Sequence, residues 1–147
     1  MIDKNNIYFV SKSEIDKVLN HKLNKFDKAK LLSLICRLNT LSMVKLAGSG
    51  HLGTSMSAMD LMIWIKFFLQ KKKKLNDPNR DIFFSSKGHD APALYSVLYA
   101  LGIISLKKIL KLRRLDGLEG HPDVATSGVE ANTGSLGMGI SKAKGMV

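Results

Sequence analysis

Residues 61–69 form the most apolar run of the chain, and Lys66 is the one charged residue within it. As a helix, this run is hydrophobic on nearly every side, so most of its surface has to be buried. The chain has 147 residues, which is enough for one domain. Such a domain hides roughly 70% of the surface of the unfolded chain. We therefore expect this helix to lie between other layers of the domain or against another chain.

The same run is too short to span a membrane, which takes about 20 apolar residues. The first six residues lack the basic start and apolar core of a signal peptide. The single cysteine, Cys36, cannot form an internal disulfide. It follows Ile35 on the predicted first long helix and has no adjacent base, which indicates a buried, unreactive thiol. These features predict a cytoplasmic protein with no membrane partner.

The chain is basic, with 23 Lys and Arg against 12 Asp and Glu, for a net charge of +11. Such a surplus favours anionic partners: nucleic acid, anionic lipid or phosphorylated small molecules. The basic runs 71–74 and 107–114 contain no aromatic residue, so they are typical of solvated faces. We expect no nucleic-acid partner. A basic nucleic-acid-binding module is the alternative, which salt-dependent binding to arbitrary duplex DNA would support.

Composition and periodicity divide the chain into a polar N-terminal arm, residues 1–25, and a domain, residues 26–147. The arm is expected to hold a short helix near residues 13–23. A long helix over 26–47 is predicted to bury the face that carries Leu31, Leu34, Ile35 and Leu38. The next helix is expected to begin near Ser57, because Ser57 and Asp60 have the spacing of a capping box.

The second half of the chain is predicted to contain one strand and three helices. Residues 81–85 have the pattern of a short buried strand. Asp90 is expected to cap a helix with Pro92 in its first turn and Gly102 at its end. Ser105 is expected to cap a short helix over 106–114. A long loop follows over 117–133, and a final helix is predicted from Gly134 to the end of the chain.

Three of the four histidines stand beside glycine in predicted loops, at positions 51, 89 and 121. Glycine allows the backbone to make a tight approach, so a ligand can come close to such a histidine. Imidazole can donate to a phosphate, hold a hydroxyl or move a proton near neutral pH. Any one of them alone is more often an ordinary loop residue, but three in the same setting favour a site. His21, in the polar arm, is expected to be solvated.

Zinc is an unfavoured alternative for these histidines. They are 38 and 32 residues apart, and none has a paired ligand three or four positions away. The glycine-rich stretch Thr-Gly-Ser-Leu-Gly-Met-Gly-Ile, residues 133–140, opens the predicted last helix. It offers free N–H groups and a helix N-terminus, which suit a cofactor, although a plain glycine turn has the same composition.

Four stretches of the chain, in order, resemble the start of transketolase. They are Leu-Ala-Gly-Ser-Gly-His-Leu-Gly (46–53), Arg-Asp-Ile-Phe-Phe-Ser-Ser-Lys-Gly-His-Asp-Ala-Pro-Ala-Leu-Tyr (80–95), Leu-Glu-Gly-His-Pro-Asp (118–123) and Gly-Val-Glu-Ala-Asn-Thr-Gly-Ser-Leu-Gly-Met-Gly-Ile-Ser (128–141). The resemblance covers residues from about 26 to 147. It is closest to the N-terminal subunit of two-subunit bacterial and archaeal transketolases, while deoxyxylulose-phosphate synthase differs at residues 87–90. It implies an α/β fold, the N-terminal part of a thiamine-diphosphate-binding domain, mostly helical here with few parallel strands.

The resemblance also implies an activity, the transfer of a two-carbon ketol unit between sugar phosphates with thiamine diphosphate. His51 and His121 match the family's substrate-facing histidines and would be catalytic. The residues that match cofactor-binding positions are Thr54, His89, Gly134, Ser135 and Leu136. At position 52, where the family usually has proline, this chain has leucine.

The family's Gly-Asp-Gly motif, which holds Mg²⁺ and the diphosphate together with a later Asn, does not occur in this sequence. No metal ligand is therefore assigned here, and the Mg²⁺ ligands are expected beyond residue 147. The implied partners are sugar-phosphate substrates, a C-terminal transketolase subunit or domain, and a homo-oligomeric partner. The alternative is a truncated, non-catalytic fragment, which the nucleotide sequence after codon 147 would distinguish.

Overall fold

The computed structural model describes residues 7–71, residue 77 and residues 79–147. Within these residues the chain forms six α-helices, and the third continues into a π-helical stretch, Ile65–Leu69. The basic run 71–74 and the polar connection that follows it fall mostly outside the described residues. The helices are α1 Lys12–Asn20, α2 Lys25–Ala47, α3 Leu52–Trp64, α4 Ala91–Ala100, α5 Leu106–Ile109 and α6 Gly139–Met146.

Helix α4 is the centre of the core, and every one of its ten residues is buried. Helices α2 and α3 pack against it and against each other. Cys36 of α2 is fully buried there, and burial raises the pKa of its thiol to about 12. The expected burial of this thiol is confirmed, and the raised pKa favours its unreactive, protonated form.

The predicted buried face of α2 is wrong. Leu34 and Leu38 are 57% and 54% exposed, and Leu31 is exposed as well. Helix α2 instead buries a mixed face that includes Asn39 and Thr40, along with Leu32, Ser33, Cys36, Met43 and Val44. Residues on both faces have the spacing of a helix face, and the leucine-rich face was predicted to be buried because its residues are the more hydrophobic. The polar residues on the true face are accommodated by hydrogen bonds, such as that from Thr40 Oγ1 to Pro92 O.

Helix α3 begins five residues before the predicted start. His51 is its N-cap residue and Leu52 its first residue. The proposed capping box does not form, because Asp60 pairs with Arg37 of α2 at 2.8 Å and Ser57 Oγ donates to Thr54 O. The Arg37 guanidinium holds the pKa of Asp60 below its ordinary value.

The apolar run 61–69 is only partly buried, contrary to expectation. Met62, Ile63 and Phe67 are buried, whereas Leu61 is 62% exposed. By length and composition, Leu52–Leu69 is the one helical stretch among the described residues that could cross a membrane. Helices in the core of a folded domain have the same composition, and this one packs against α2 and α4.

The strand predicted over 81–85 is not found. The described residues contain one isolated parallel bridge, between Leu112 and Leu118, and no paired strands. A strand exists only through pairing with a neighbour, and residues 81–85 have none among the described parts of the chain. The mostly helical character of the segment is confirmed, and the α/β class stays a prediction.

The remaining boundaries follow the sequence in part. Helix α4 begins after Asp90 with Pro92 in its first turn, and Gly102 (φ +77°) follows its end, both as predicted. The Asp90 side chain makes no capping hydrogen bond, contrary to expectation, because its Oδ2 accepts from Ser85 Oγ instead. Ser105 caps α5 as predicted, but α5 ends at Ile109, before the left-handed residue Arg113 (φ +54°). Helix α6 begins at Gly139, five residues later than predicted.

The described part of the N-terminal arm packs on the core. Ile7, Phe9 and Ile15 are buried. The Asn39 side chain fixes the arm to α2, since its Oδ1 accepts from Val10 N at 2.7 Å and its Nδ2 donates to Val10 O at 3.2 Å. His21 is exposed, as expected.

Candidate functional site

The three glycine-flanked histidines come together at one place on the surface. The ring centroids of His51 and His89 are 5.6 Å apart, and those of His51 and His121 are 6.5 Å apart. These residues are far apart in sequence, so the fold brings three separate loops to one histidine cluster. The three histidines that favoured a site in the sequence therefore lie side by side in the structure.

His51 is positioned by the junction between α2 and α3. Gly48 ends α2 in the left-handed region (φ +70°), and Gly50 (φ +146°) lies against the Val44 side chain. A Cβ at Gly50 would stand 2.8 Å from Val44 Cγ2, so the turn needs glycine there. The carbonyl of His51 accepts a hydrogen bond from Ser55 Oγ at 2.7 Å, and the imidazole is exposed.

His89 has its tautomer set by a backbone contact. Its Nδ1 lies 2.6 Å from the carbonyl oxygen of Lys87. A carbonyl can only accept, so Nδ1 carries the hydrogen and donates. Nε2 is then the ring atom left to meet a ligand.

The backbone of His121 is anchored by a hydrogen bond from a residue of α4. The hydroxyl of Tyr95 donates to His121 O at 3.2 Å, and Tyr95 is fully buried. Burial raises the pKa of Tyr95, which favours the protonated hydroxyl that this hydrogen bond requires. The His121 ring itself is exposed.

The glycine-rich stretch packs directly against the histidine segments. A Cβ at Gly134 would stand 3.1 Å from His121 Cδ2, and one at Gly88 (φ +67°) would stand 2.4 Å from Gly134 N. The N–H of Gly139 donates to Ser86 Oγ at 3.0 Å. Residues 86–89, 121 and 134–139 therefore form one close-packed unit, with Ser135 and Leu136 exposed at its edge.

Two threonine hydroxyls on the cluster's own segments are buried without a hydrogen-bond partner in the described structure. They are Thr54 Oγ1, in the first turn of α3, and Thr133 Oγ1, at the start of the glycine-rich stretch. An orphaned buried hydroxyl is costly unless a ligand or water satisfies it. These two hydroxyls, and the space left where glycine has no side chain, suit a polar group that needs several hydrogen bonds, such as a diphosphate.

The described residues hold no group of three or more His, Cys, Asp or Glu that could bind a metal ion. The two oxygen-bearing residues just before the glycine-rich stretch are occupied. Glu130 forms a two-pronged ion pair with Arg80, at 2.6 Å for each contact. Asn132 Oδ1 accepts from Val124 N, and its Nδ2 donates to Asp123 Oδ2.

Sequence reasoning missed three residues, two on the segments of the site and one, Lys66, in the apolar run 61–69. Thr133 was passed over as the residue before Gly134, and Asp90 was considered only as a helix cap. Asp90 is fully buried; Oδ2 accepts from Ser85 Oγ at 2.6 Å, and Oδ1 has no partner in the described structure. Lys66 is only 8% exposed, with Nζ 5.7 Å from the Phe83 ring centroid, and burial lowers its pKa. The charged residue inside the apolar run was the signal for Lys66.

The family model of the transketolase thiamine diphosphate binding domain matches residues 28–147. The transketolase of Buchnera aphidicola subsp. Schizaphis graminum is 39% identical over 115 residues, which are 75% of this chain and 17% of that protein. Human transketolase is 35% identical over 113 residues, 75% of this chain and 18% of that protein. That of Streptococcus pyogenes serotype M6 is 41% identical over 117 residues, 74% and 16% respectively.

The chain belongs to the transketolase family, through its thiamine-diphosphate-binding domain. The resemblance deduced from the four sequence stretches is confirmed. The chain spans less than a fifth of the length of the three relatives described.

Proposed function

We propose that this chain supplies part of the cofactor and substrate site of a transketolase-type enzyme. The reaction is the transfer of a two-carbon ketol unit between sugar phosphates with thiamine diphosphate. The observation that carries the proposal is the convergence of His51, His89 and His121 beside the glycine-rich stretch, in a member of this family. A non-catalytic fragment is the competing proposal.

In this proposal the residues divide by role. In its imidazolium form His89 donates from Nε2 to the diphosphate, while its Nδ1–H donates to Lys87 O. The Thr54 hydroxyl supplies a further hydrogen bond, because its Oγ1 lacks a partner in the described structure. The other residues proposed to bind the cofactor are Gly134, Ser135 and Leu136. Thiamine diphosphate, when bound, supplies the nucleophilic carbon that accepts and passes on the two-carbon unit.

His51 and His121 are proposed to act on the substrate side. Their imidazoles are exposed and adjacent, so they can hydrogen-bond sugar hydroxyls and charge that develops near the reacting carbon. The net charge of +11 suits phosphorylated sugars. We further propose that Mg²⁺ accompanies the cofactor, that its ligands come from outside this chain's described residues, and that the setting is cytoplasmic. A C-terminal transketolase subunit or domain and a second copy would complete the site.

A chimera tests the proposal directly. Residues 28–147 replace the matched segment of the Buchnera transketolase, and turnover and thiamine diphosphate affinity are measured separately. We expect an active chimera. His51→Ala should lower kcat by roughly 100- to 1000-fold, the cost of one lost hydrogen bond to developing charge. Its affinity for thiamine diphosphate should change much less.

A longer chimera that also includes the arm carries the matched control, His21→Ala, which should leave kcat unchanged because His21 lies outside the cluster. An inactive but folded chimera that still binds the cofactor would favour the non-catalytic alternative. Weakened cofactor binding with an unchanged kcat in His51→Ala would exchange the roles assigned to His51 and His89.

A further inference from the structure

Arg113 adopts a backbone conformation that non-glycine residues rarely take. Its φ is +54°, in the left-handed region that crowds the Cβ of an L residue. Such a conformation persists only where surrounding contacts hold it, and it occurs often beside functional sites. Contacts of Arg113 with other residues must therefore stabilise this conformation.

The backbone of Arg113 is anchored in the core. Its N–H donates to Leu118 O at 2.7 Å, and the neighbouring residue Leu112 forms a bridge with Leu118. Leu112 and Leu118 are both buried. The turn between them is thus fixed at its base, and the Arg113 side chain projects from a rigid position.

One end of the side chain reaches the loop that carries His51. Arg113 Nη1 donates to Ser49 Oγ at 2.8 Å. Ser49 lies two residues before His51, within the glycine turn that ends α2. This contact connects residues 64 positions apart in sequence.

The flat side of the same guanidinium lies on the residue before His121. A Cβ built at Gly120 would stand 2.8 Å from Arg113 Nε and 3.0 Å from Cζ and Nη2. No larger residue fits at position 120 without moving the guanidinium. Arg113 therefore touches the loop of His51 and the loop of His121 at once.

We propose that Arg113 is a positioning residue that holds the His51 and His121 loops at their mutual distance. The rigid, planar guanidinium suits this role, because its Nη1 donates to Ser49 while its flat face packs on the backbone of Gly120. A loosening of about 1 Å between two such groups is enough to weaken a site. The consequence for catalysis rests on the proposed function, whereas the clamp itself does not.

The clamp is tested by nuclear Overhauser effects between imidazole ring protons in the full 147-residue chain. His→Gln variants at positions 51, 89 and 121 assign the signals. Arg113→Asn keeps a residue that tolerates left-handed backbone and removes the guanidinium. We expect the His51–His121 cross-peak to fall roughly two- to threefold for a loosening of about 1 Å, given its sixth-power dependence on distance.

The His51–His89 cross-peak is the internal reference, since the contacts of Arg113 described above lie on the other two loops, and it should be retained. Arg114→Asn, at the exposed neighbouring arginine, should change neither cross-peak. Ser49→Ala is the second variant, which removes the acceptor without altering the turn at 113; it should weaken the same cross-peak. An unchanged His51–His121 intensity in both Arg113→Asn and Ser49→Ala overturns the clamp.

The catalytic consequence has a separate readout in the chimera. Arg113→Asn should lower kcat with little change in thiamine diphosphate affinity, and Arg113→Lys should recover only part of the loss because it lacks the planar face. A weakened cross-peak with an unchanged kcat would overturn the catalytic consequence and leave the clamp. An inactive parent chimera with the clamp intact would overturn the proposed function and leave the clamp.

Discussion

At the scale of single residues, the site depends on glycines, whose lack of a side chain lets neighbouring segments pack closely. Gly88 and Gly134 let two backbone segments meet, since a Cβ at Gly88 would stand 2.4 Å from Gly134 N. Gly120 likewise leaves room for the Arg113 guanidinium. The glycine beside each histidine was the sequence signal that marked the site, and the structure gives Gly50, Gly88 and Gly120 a steric reason.

Position 52 allows a test at this scale. Leu52 is the first residue of α3, where a backbone N–H needs no helical partner, and the preceding His51 has φ −95° and ψ +101°. Both conditions suit proline. We expect Leu52→Pro to raise the free energy of unfolding by about 0.4–1 kcal/mol, chiefly by restricting the unfolded chain.

Chemical denaturation of the two chains measures this difference, with Gly53→Pro as the matched control one position further into the helix. Gly53→Pro should not be stabilising, because the favoured site for proline is the first helical position. A clear loss of stability in Leu52→Pro would mean that the partly buried leucine side chain contributes more than the restricted backbone.

At the scale of elements, α2 has two faces that the sequence alone does not rank. Leu32 is fully buried, whereas Leu34, two residues on, is 57% exposed. We expect Leu32→Ala to lower the free energy of unfolding by about 2–5 kcal/mol, the usual cost of a core cavity. Leu34→Ala should stay within about 0.5 kcal/mol of the parent.

Urea unfolding of the two variants compares the same chemical change on opposite faces of one helix. Equal losses would show that the leucine-rich face is covered in solution. A larger loss at Leu34 than at Leu32 would contradict the packing of α2 described above.

The elements also show how far sequence reasoning reaches. The bounds of α2, the turn at Gly48 and the start of α4 follow from local signals that act within a few residues: caps, a proline in the first turn and glycine at the end. The buried face of α2 was mispredicted because its polar members Asn39 and Thr40 are satisfied by distant residues, Val10 and Pro92. Such long-range partners leave no local pattern.

The candidate site divides in the same way. The histidines and the glycine-rich stretch could be found from the sequence, because their residue types are unusual for ordinary loops. The start of α3 was missed because Asp60 pairs with Arg37 rather than capping a helix. Arg113 could not be found, because its importance arises from contacts with Ser49 and Gly120 that exist only in the fold.

At the scale of the whole molecule, the apolar surface is extensive. Four leucines of α2 are exposed along one face, and α6 is exposed over almost its whole length. The exposed leucines of α2 are Leu31, Leu34, Leu38 and Leu41. Apolar patches of this kind are typical of surfaces that contact other protein. They accord with the proposal that further domains or a second copy complete the enzyme.

The affinity of the 147 residues alone for thiamine diphosphate depends on the metal ligands and hydrogen bonds that they offer. The described residues hold no cluster of carboxylates and histidines that could bind a metal ion, and Glu130 is engaged by Arg80. The hydrogen bonds on offer from His89, Thr54 and the glycine-rich stretch contribute about 0.5–1.5 kcal/mol each. Micromolar affinity takes about 8 kcal/mol. We therefore expect no tight binding of thiamine diphosphate and no ketol transfer by these residues alone.

Calorimetric titration of residues 1–147 with thiamine diphosphate, with and without Mg²⁺, measures this affinity. His89→Ala is the control, because it removes one of these hydrogen bonds and should weaken any residual binding by the contribution of that bond alone. Saturable binding at micromolar concentrations would contradict the prediction. It would mean that the histidine cluster and the glycine-rich stretch hold the diphosphate without the metal ligands that the family motif supplies, and the proposed need for further domains would then apply to the reaction and not to cofactor binding.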